Sequence, residues 1–398
     1  MTENNPTPEM EIKKQDEILP RVRTLKELIE RVSGKSNELT LQQEDSGLID
    51  VLPFPFLALV GQVEMKFALL LALINPAVGG VILIGPRGTG KTTAIRGLVD
   101  LLPEVPRSLC FYGCLPEDIE TGGIDSVCPD CARKYAMGEP LAAMDKVRLV
   151  ELPLNASLED VVGGIDERAV GHERLRIRRG ILAHADRNLL HVDEVNMLAD
   201  DVVDAILDAA SQGSYILRRG QVAAAYRARF ALIGSMNPEE GRLRPQIMDR
   251  FGLRVIVHGL TEVEQRFEAY KRVQAYLVKP RQVVLEYAND TKLAQAEIQI
   301  ARDIVTRVTI PEQVSKQGLD LIRQLHVDSL RAEITLFEAA RAYAALDGRQ
   351  QVGEEDLRAI APMALRMRRS TFMEKYLTEQ AAEDTEIQKF IDQTLTGT

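Results

Sequence analysis

One stretch of the chain combines glycines, a lysine and a threonine at a spacing that suits the binding of phosphate groups. Glycines let backbone N–H groups point at an anion, the lysine can reach β- and γ-phosphates, and the threonine hydroxyl can ligate Mg²⁺. The pattern G-x-x-x-x-G-K-[ST] is met by Gly85, Pro86, Arg87, Gly88, Thr89, Gly90, Lys91 and Thr92, and Thr93 follows as a further binding candidate. The sequence therefore predicts a site for a nucleoside triphosphate with its Mg²⁺.

The flanking residues supply the elements that this loop needs. An apolar run at Val81-Ile82-Leu83-Ile84 predicts a buried parallel strand, and the residues from Thr93 to Val99 predict a helix. The N-terminus of that helix adds partial positive charge to the anion site. A chance glycine-rich turn between a strand and a helix is the alternative reading.

Two acidic residues follow a second buried strand. Leu189-Leu190-His191-Val192 leads into Asp193-Glu194, as in a Walker B motif, which delivers carboxylates at the carboxyl edge of an α/β sheet. Asp193 is expected to join the Mg²⁺ shell, and Glu194 is expected to polarise the attacking water. The alternative is that the pair merely caps the next helix.

A third strand, Phe230 to Met236, ends in Asn237. Its amide could position water near a γ-phosphate, although a plain turn at the strand end is the alternative. With Val147–Pro153 and Val255–Val257, the chain offers about five strands interleaved with helices, which predicts a parallel α/β sheet.

The patterns divide the chain into several segments. After Thr261 only helices are predicted. The expected segments are a polar, partly disordered extension over 1–50 with one helix near 20–31; an α/β nucleotide-binding domain over 51–260 with an insertion at 101–146; a helical linker and lid over 261–370; and an acidic helical tail over 371–398.

Composition narrows the classes of protein. The 398 residues are 45% hydrophobic with a formal net charge of −10, which argues against whole-surface binding to nucleic acid or to an anionic membrane. The N-terminus lacks a signal pattern, and charged residues interrupt the apolar region 54–84. We expect no membrane and no nucleic-acid partner, and a cytoplasmic location.

The insertion carries all four cysteines. They form two close pairs, Cys110-x₃-Cys114 and Cys128-x₂-Cys131, with thirteen residues between the pairs. This spacing suits a four-thiolate zinc site. A structural Zn²⁺ is the favoured interpretation. A redox-sensitive dithiol at Cys128 and Cys131, and four unrelated thiols in a loop, are the alternatives, and an iron–sulfur cluster is less favoured.

These motifs, taken together, resemble a known family. Five stretches are similar to those of the AAA+ ATPase subunit of magnesium chelatase, the I subunit. They are Val60–Lys66, Gly85–Thr92, Val192–Leu198, Asn237–Gln246 and Asp328–Glu333. The resemblance covers roughly residues 52–368. The phosphate loop alone would indicate only an NTPase, whereas Asn-Pro-Glu-Glu-Gly followed by Arg-Pro-Gln-x-x-Asp-Arg-Phe is much more specific.

The resemblance implies roles for individual residues. ATP would lie between the α/β domain and a helical lid, with Val60, Gly61 and Gln62 near the adenine. Four residues match the Walker motifs: Lys91 and Thr92 of Walker A, and Asp193 and Glu194 of Walker B. Asn237 matches sensor 1, and Arg331 matches the sensor 2 arginine. Arg250 matches an arginine finger that acts on ATP held by a neighbouring subunit. The alternatives are that Arg250 pairs with Asp249 or another carboxylate, and that Arg331 is a solvated helix residue.

The resemblance also implies partners. It implies a ring of copies of this chain, as a hexamer, with an integrin-like bridging subunit and a large porphyrin-binding subunit. Inserted hairpins at Ile165–Gly180 and Tyr215–Arg229 match the family in position, and their arginines are either partner contacts or a solvated basic surface. The implied activity is ATP-driven insertion of Mg²⁺ into protoporphyrin IX in chlorophyll or bacteriochlorophyll biosynthesis.

Three other functions share the same motifs. A cobalt chelatase would use the same motor with another metal, and a MoxR-like remodelling chaperone shares the phosphate loop and Walker B, although the residues Asn237–Gln246 favour the chelatase. A nucleic-acid motor is disfavoured by the net charge and by the lack of interleaved aromatic and basic residues.

Overall fold

The structure of the chain is a computed structural model that describes residues 52–110, 112–166, 176–219 and 222–369. Several predictions lie outside these residues. They are the extension before residue 51 with its helix near 20–31, the turn at Gly220, and the acidic tail over 371–398.

The described residues form the following strands and helices. The strands are β1 (Val81–Ile84), β2 (Val105–Ser108), β3 (Ala142–Asp145), β4 (Leu149–Leu152), β5 (Gly163–Asp166), β6 (Arg176–Arg179), β7 (Leu189–Val192), β8 (Ser214–Arg219), β9 (Val222–Arg227), β10 (Ala231–Met236) and β11 (Leu253–Ile256). The helices are α1 (Val63–Ile74), α2 (Lys91–Leu98), α3 (Pro116–Gly122), α4 (Pro129–Ala136), α5 (Leu158–Val162), α6 (Ile181–Ala185), α7 (Asp200–Gln212), α8 (Pro245–Arg250), α9 (Val263–Val278), α10 (Pro280–Glu286), α11 (Ala288–Val305), α12 (Glu312–Gln324), α13 (Leu330–Leu346) and α14 (Glu354–Leu365).

Five of these strands form one sheet in the order β11-β1-β10-β7-β4, and every neighbouring pair is parallel. The predicted α/β sheet of about five strands is therefore confirmed. The register places Leu83 of β1 between Ser235 of β10 and Val255 of β11. All four residues of β1 and of β7 are buried, as expected for strands with helices on both faces. The carboxyl ends of β1, β7 and β10 thus meet at one edge.

Helix α1 is more deeply buried than its sequence pattern suggests. Helical spacing in the sequence predicts one apolar face of Met65, Leu69, Ala72 and Leu73, and these four residues are buried, but so is every other residue from Met65 to Ile74. The reason is that α1 packs against α11 and α13 in addition to the sheet. The site-forming sheet and the C-terminal helices therefore share one continuous hydrophobic core.

Helices occupy the chain from α9 onward, as predicted. Helix α13 contributes mainly small buried side chains, including Ala332, Ala339 and Ala340, and this allows close contact with α11 and α14. Helix α10 was not predicted. It begins with Pro280 at its first position, where the missing N–H has no intrahelical partner in any case.

Three antiparallel pairs lie outside the main sheet. Strands β2 and β3 belong to the cysteine insertion, while β5–β6 and β8–β9 are the two inserted hairpins. Among the described helices, none combines the length and the apolar character that crossing a bilayer requires.

Candidate nucleotide site

The phosphate loop runs from β1 into α2 with a backbone that depends on glycine. Gly88 and Gly90 have φ values of 79° and 86°, and Gly90 is the N-cap of α2. A Cβ at either residue would project into open space, whereas a Cβ at Gly85 would collide with the Val257 carbonyl oxygen. The loop is therefore fixed against the sheet at Gly85 and open where a phosphate must enter.

Lys91 lies over this loop. Its Nζ donates hydrogen bonds to the carbonyl oxygens of Gly85 (2.6 Å) and Pro86 (2.8 Å). Burial lowers the pKa of Lys91, and the charges of Asp193, Glu240 and Glu194 partly offset this effect. The amine is thus close to the acidic residues of the sheet edge. Thr92 follows it half-buried in the first turn of α2, and Thr93 is exposed.

Asp193 and Glu194 leave the end of β7 in different environments. Asp193 Oδ1 accepts hydrogen bonds from the Ser235 hydroxyl on β10 and from the backbone N–H of Glu194 (3.1 Å). Glu194 has a φ of 47°, a strained value for a residue with a Cβ. Glu194 is the N-cap residue of a short 3₁₀ turn, Val195–Met197, but its side chain makes no capping hydrogen bond there. The pair does not cap α7, which begins at Asp200 after Ala199.

Asn237 is buried at the end of β10. Its Nδ2 donates to Glu240 Oε1 (2.9 Å), and its Oδ1 accepts from the Glu239 N–H (3.3 Å). The residue also starts the strand-end turn that sequence reasoning offered as its alternative, because the Glu240 N–H donates to its carbonyl oxygen (3.1 Å). The turn and the amide contact occur together, because the turn brings Glu240 against the Asn237 amide.

Glu240 and Arg87 complete the group, and sequence reasoning gave Glu240 no role. Arg87 Nη2 lies 2.9 Å from Glu194 Oε1, and its Nε lies 2.7 Å from Glu240 Oε1. The Asn237 hydrogen bond and the Arg87 charge lower the pKa of the Glu240 carboxyl. The only signal in the sequence was that Glu240 lies within the Asn-Pro-Glu-Glu-Gly stretch.

These residues fit a magnesium nucleotide. Within the described residues, Glu240 Oε2 and Asn196 Oδ1 are buried beside Asn237 and accept no hydrogen bond, so oxygen acceptors remain at the sheet edge. Carboxylate, hydroxyl and amide oxygens are the donors that Mg²⁺ takes, usually with several waters. The open loop glycines and the Lys91 amine suit phosphates.

The residues predicted to lie near the adenine, Val60, Gly61 and Gln62, directly precede α1. Gln62 has a left-handed backbone (φ 52°), and its Nε2 donates to the His258 carbonyl oxygen (2.6 Å). Gly61 also has positive φ, and a Cβ there would collide with Leu260 Cδ2. Val60 is buried. This segment is therefore held against the residues that follow β11 and lead into the C-terminal helices.

Comparison with known proteins decides the family. The family model described as magnesium chelatase, subunit ChlI, matches residues 56–245, and that of an AAA lid domain matches residues 319–390. The magnesium-chelatase 38 kDa subunit of Acidiphilium rubrum is 41% identical over 317 residues, which are 79% of this chain and 90% of that protein. The chain belongs to the magnesium chelatase ChlI family.

A further relative and a solved structure agree with the family and the fold, respectively. The ChlI homolog of Methanocaldococcus jannaschii is 39% identical over 333 residues, 83% of this chain and 90% of that protein. A crystal structure of a putative ATPase from Cytophaga hutchinsonii matches the fold with a TM-score of 0.50 at 19% identity, covering 78% of this chain and 83% of that one. The resemblance drawn from the motifs is confirmed, as is the prediction of an AAA+ ATPase with a helical lid.

The two arginines that the ChlI resemblance assigns to catalysis lie on α8 and α13. Arg250, at the end of α8, pairs with Asp208 (2.8 Å) and Asp204 (3.1 Å) on α7. The alternative of pairing with carboxylates is thus realised, although not with the adjacent Asp249. Arg331 is exposed in the first turn of α13, on the helical side of the molecule.

The four cysteines of this ChlI-family chain are brought together by the insertion. Their sulfurs all lie within 4.8 Å of one another, and none forms a disulfide. The alternative of four unrelated thiols in a loop does not fit this arrangement.

Proposed function

We propose that this chain is the ATP-hydrolysing motor subunit of a magnesium chelatase, which drives insertion of Mg²⁺ into protoporphyrin IX in chlorophyll or bacteriochlorophyll biosynthesis. The observation that carries the proposal is the meeting of Lys91, Asp193, Glu194 and Asn237 at one sheet edge of a ChlI-family chain. ATP with Mg²⁺ is the ligand that this edge fits.

Each residue has a distinct task. The loop N–H groups and Lys91 bind the β- and γ-phosphates, and Thr92 and Asp193 hold the metal shell. Glu194 orients and polarises the attacking water, while Asn237 fixes Glu240 and faces the same water. Bound MgATP supplies the phosphoryl group that passes to water. Val60, Gly61 and Gln62 hold the base.

Assembly into a ring completes the site. Arg250 lies at the end of α8, where its partly exposed guanidinium pairs with Asp204 and Asp208 on α7. A neighbouring copy can therefore receive this guanidinium at its γ-phosphate, where an arginine finger spreads positive charge over the transition state. Arg331 on α13 would report the nucleotide to the lid. A hexamer is the proposed ring.

The proposed partners are an integrin-like bridging subunit and a large subunit that holds the porphyrin. The hairpins β5–β6 and β8–β9 stand outside the main sheet, so they are available to such partners. We place the complex in the cytoplasm.

The test is a reconstituted chelatase reaction. This chain is mixed with active bridging and large subunits, protoporphyrin IX, Mg²⁺ and ATP, and fluorescence of Mg-protoporphyrin is followed. We expect product only with this chain. Glu194→Gln should abolish product and lower ATP hydrolysis by at least about a hundredfold while ATP still binds.

The matched control is Glu239→Gln, which removes a neighbouring exposed carboxylate. It should support product formation at the wild-type rate. ATP hydrolysis without Mg-protoporphyrin, with partners shown active beside a known I subunit, would contradict the magnesium assignment. A parallel reaction with Co²⁺ and the partners of a cobalt chelatase would then test the same motor in that role.

A further inference from the structure

The cysteine insertion contains a cluster that the ATPase chemistry does not use. Cys110, Cys114, Cys128 and Cys131 are the only cysteines of the chain, and their four sulfurs lie within 4.8 Å of one another. Cys114 and Cys131 are buried, and the other two are half-buried. A chance grouping of thiols from both ends of a loop would not converge in this way.

We infer that these four thiolates hold one structural Zn²⁺. Zinc prefers a closed tetrahedron of thiolates with Zn–S bonds of about 2.3 Å, which places neighbouring sulfurs about 3.8 Å apart. The observed cluster thus needs a contraction of no more than about 1 Å to reach that geometry. Four protein ligands leave no open position, so the site is structural and not catalytic.

The backbone around the cysteines supports metal-bound thiolates. Gly113 adopts a φ of 69° and closes a tight turn, and the Cys114 N–H donates to Cys110 Sγ (3.3 Å). The Cys128 N–H donates to Cys114 Sγ (3.4 Å), and the Ser108 hydroxyl donates to Cys110 Sγ (3.5 Å). Backbone N–H and hydroxyl groups that donate to ligand sulfurs orient these ligands and stabilise thiolate charge.

Among the described residues of the insertion, the hydrophobic cluster is too small to order this segment without a metal. Its buried hydrophobic cluster consists of Cys114, Cys131 and Leu141, with only a few half-buried residues around them. A unit this small cannot bury enough apolar surface to offset the conformational entropy of its residues. A metal centre supplies the missing stabilisation in such units.

Two arginines contact the turn that carries Cys110 and Cys114, and one of them places positive charge beside the site. Four thiolates with one Zn²⁺ have a net charge of −2. The Arg179 guanidinium lies against the Cys110–Cys114 turn so closely that a Cβ at Gly113 would be 2.6 Å from its Nη1. Arg227 Nη2 donates to the Gly113 carbonyl oxygen (3.1 Å). Arg179 therefore places a positive charge beside the cluster, whereas Arg227 holds the turn and pairs its charge with Asp118 and Glu117.

The same contacts join the metal site to an inserted hairpin. Arg227 is the last residue of β9, and it also donates to Asp118 Oδ2 (3.0 Å) on α3. Glu117 beside it pairs with Arg187 and Arg229, whose hydrogen bonds and charges lower its pKa to about 2. Zinc would therefore fix the surface on which the base of the β8–β9 hairpin rests. This inference does not depend on which chelatase the chain serves.

The first experiment measures metal content. The full chain is purified in reductant without chelator and analysed by inductively coupled plasma mass spectrometry. We expect about one zinc per chain, lost in Cys131→Ser and retained in the control Thr121→Ala, an exposed substitution on α3. Reloading with Co²⁺ should give the strong visible absorption of tetrahedral cobalt thiolate.

Three results would overturn the inference. They are metal-free protein with four reactive thiols that does not take up added Zn²⁺, disulfides in the freshly purified chain, and iron with acid-labile sulfide in place of zinc. The wild-type measurement decides these even if Cys131→Ser fails to fold.

A second experiment tests the role of the metal. Zinc is stripped from the wild-type chain with a chelator, and hydrogen exchange is followed by mass spectrometry. Peptides containing Cys114, Cys128 and residues 225–227 should exchange at least about tenfold faster. Arg227→Gln should keep zinc and the slow exchange at Cys114 but expose 225–227. Unchanged exchange after complete stripping would refute the anchoring role.

Discussion

Arg87 of the phosphate loop forms an ion pair with Glu194, the proposed water-activating carboxylate, at 2.9 Å between Nη2 and Oε1. The same guanidinium reaches Glu240 Oε1 at 2.7 Å. The hydrogen bond to Glu194 and the charge of Glu240 raise the pKa of Arg87. If Glu194 activates water as proposed, this ion pair competes with the water for the carboxylate, and we expect the pair to oppose hydrolysis.

Removing the arginine should therefore raise the basal rate. The Arg87 side chain is 73% exposed, so water and salt weaken its ion pairs. We expect Arg87→Gln to raise basal ATP turnover about twofold at low salt. Moderate salt should raise the wild-type rate toward that of the variant, because salt screens exposed charges.

The control for this prediction is Arg96→Gln. Arg96 forms a comparably exposed pair with Glu151 away from the loop, and its loss should leave turnover unchanged. A fall in turnover for Arg87→Gln at every salt concentration would mean that Arg87 assists the reaction.

A second prediction concerns Asp249, which joins α8 to the lid. Its carboxylate accepts from Arg368 (2.6 Å), Arg254 (3.3 Å) and the Ser329 hydroxyl (2.9 Å). Both guanidinium groups are buried. Because Asp249→Asn would leave two buried cations without their anion, it should lower the free energy of unfolding by about 2–3 kcal/mol, somewhat below the loss for a fully buried pair.

Denaturant unfolding of the two proteins measures this loss. Asp204→Asn removes the carboxylate of a half-exposed pair with Arg250 and should change stability by less than about 0.5 kcal/mol. Equal stability of wild type and Asp249→Asn would show that the lid does not depend on this carboxylate.

The sequence predicted those features that depend on neighbouring residues. The loop from Gly85 to Thr92, the acidic end of β7 and the amide at the end of β10 are short patterns, and parallel strands bring such strand ends to one edge. The pairs Arg87–Glu194 and Asp249–Arg368 span 107 and 119 residues. No local pattern encodes them, because they depend on how the sheet and lid pack.

Burial was also underestimated from the pattern. Lys66 is a charged residue among the apolar residues of α1, yet it is 1% exposed because every residue from Met65 to Ile74 is buried. Its Nζ donates to the Leu59 carbonyl oxygen, just before the proposed adenine residues. Tertiary packing overrode the periodicity that sequence reasoning relies on.

A third prediction follows from this lysine. Burial, with the nearby charge of Arg272, lowers the pKa of Lys66 to about 7. Between that pH and about 10 the unfolded chain binds a proton that the folded chain does not, so stability rises with pH in this window, whereas below it both states are protonated. Relative to Lys66→Met, wild type should gain up to about 1.4 kcal/mol per pH unit.

Unfolding free energies at pH 7, 8 and 9, chosen to cover about two pH units of this window, provide the measurement. Other titrating groups cancel in the difference between the two proteins. Lys271→Met removes an exposed lysine on α9 and should show no such difference. Parallel pH profiles for wild type and Lys66→Met would contradict the lowered pKa.

The last prediction tests whether Arg250 acts on a neighbouring copy. Alone, Arg250→Ala should lower ATP turnover by roughly a thousandfold, because a missing finger leaves transition-state charge uncompensated. Lys91→Ala should be equally inactive, since it cannot bind the phosphates. In an equimolar mixture, about a quarter of the interfaces of a ring pair an intact Lys91 with an intact Arg250 from the next subunit.

The mixture should therefore recover a substantial part of wild-type turnover, although neither variant has it. As a control, Arg250→Ala is mixed with the double variant Lys91→Ala, Arg250→Ala, which supplies no intact finger and should restore nothing. A finger acting within its own chain predicts no recovery in either mixture, because each chain then lacks one group of its own site. That outcome, with mixed rings shown to form, would place Arg250 outside the neighbour's site.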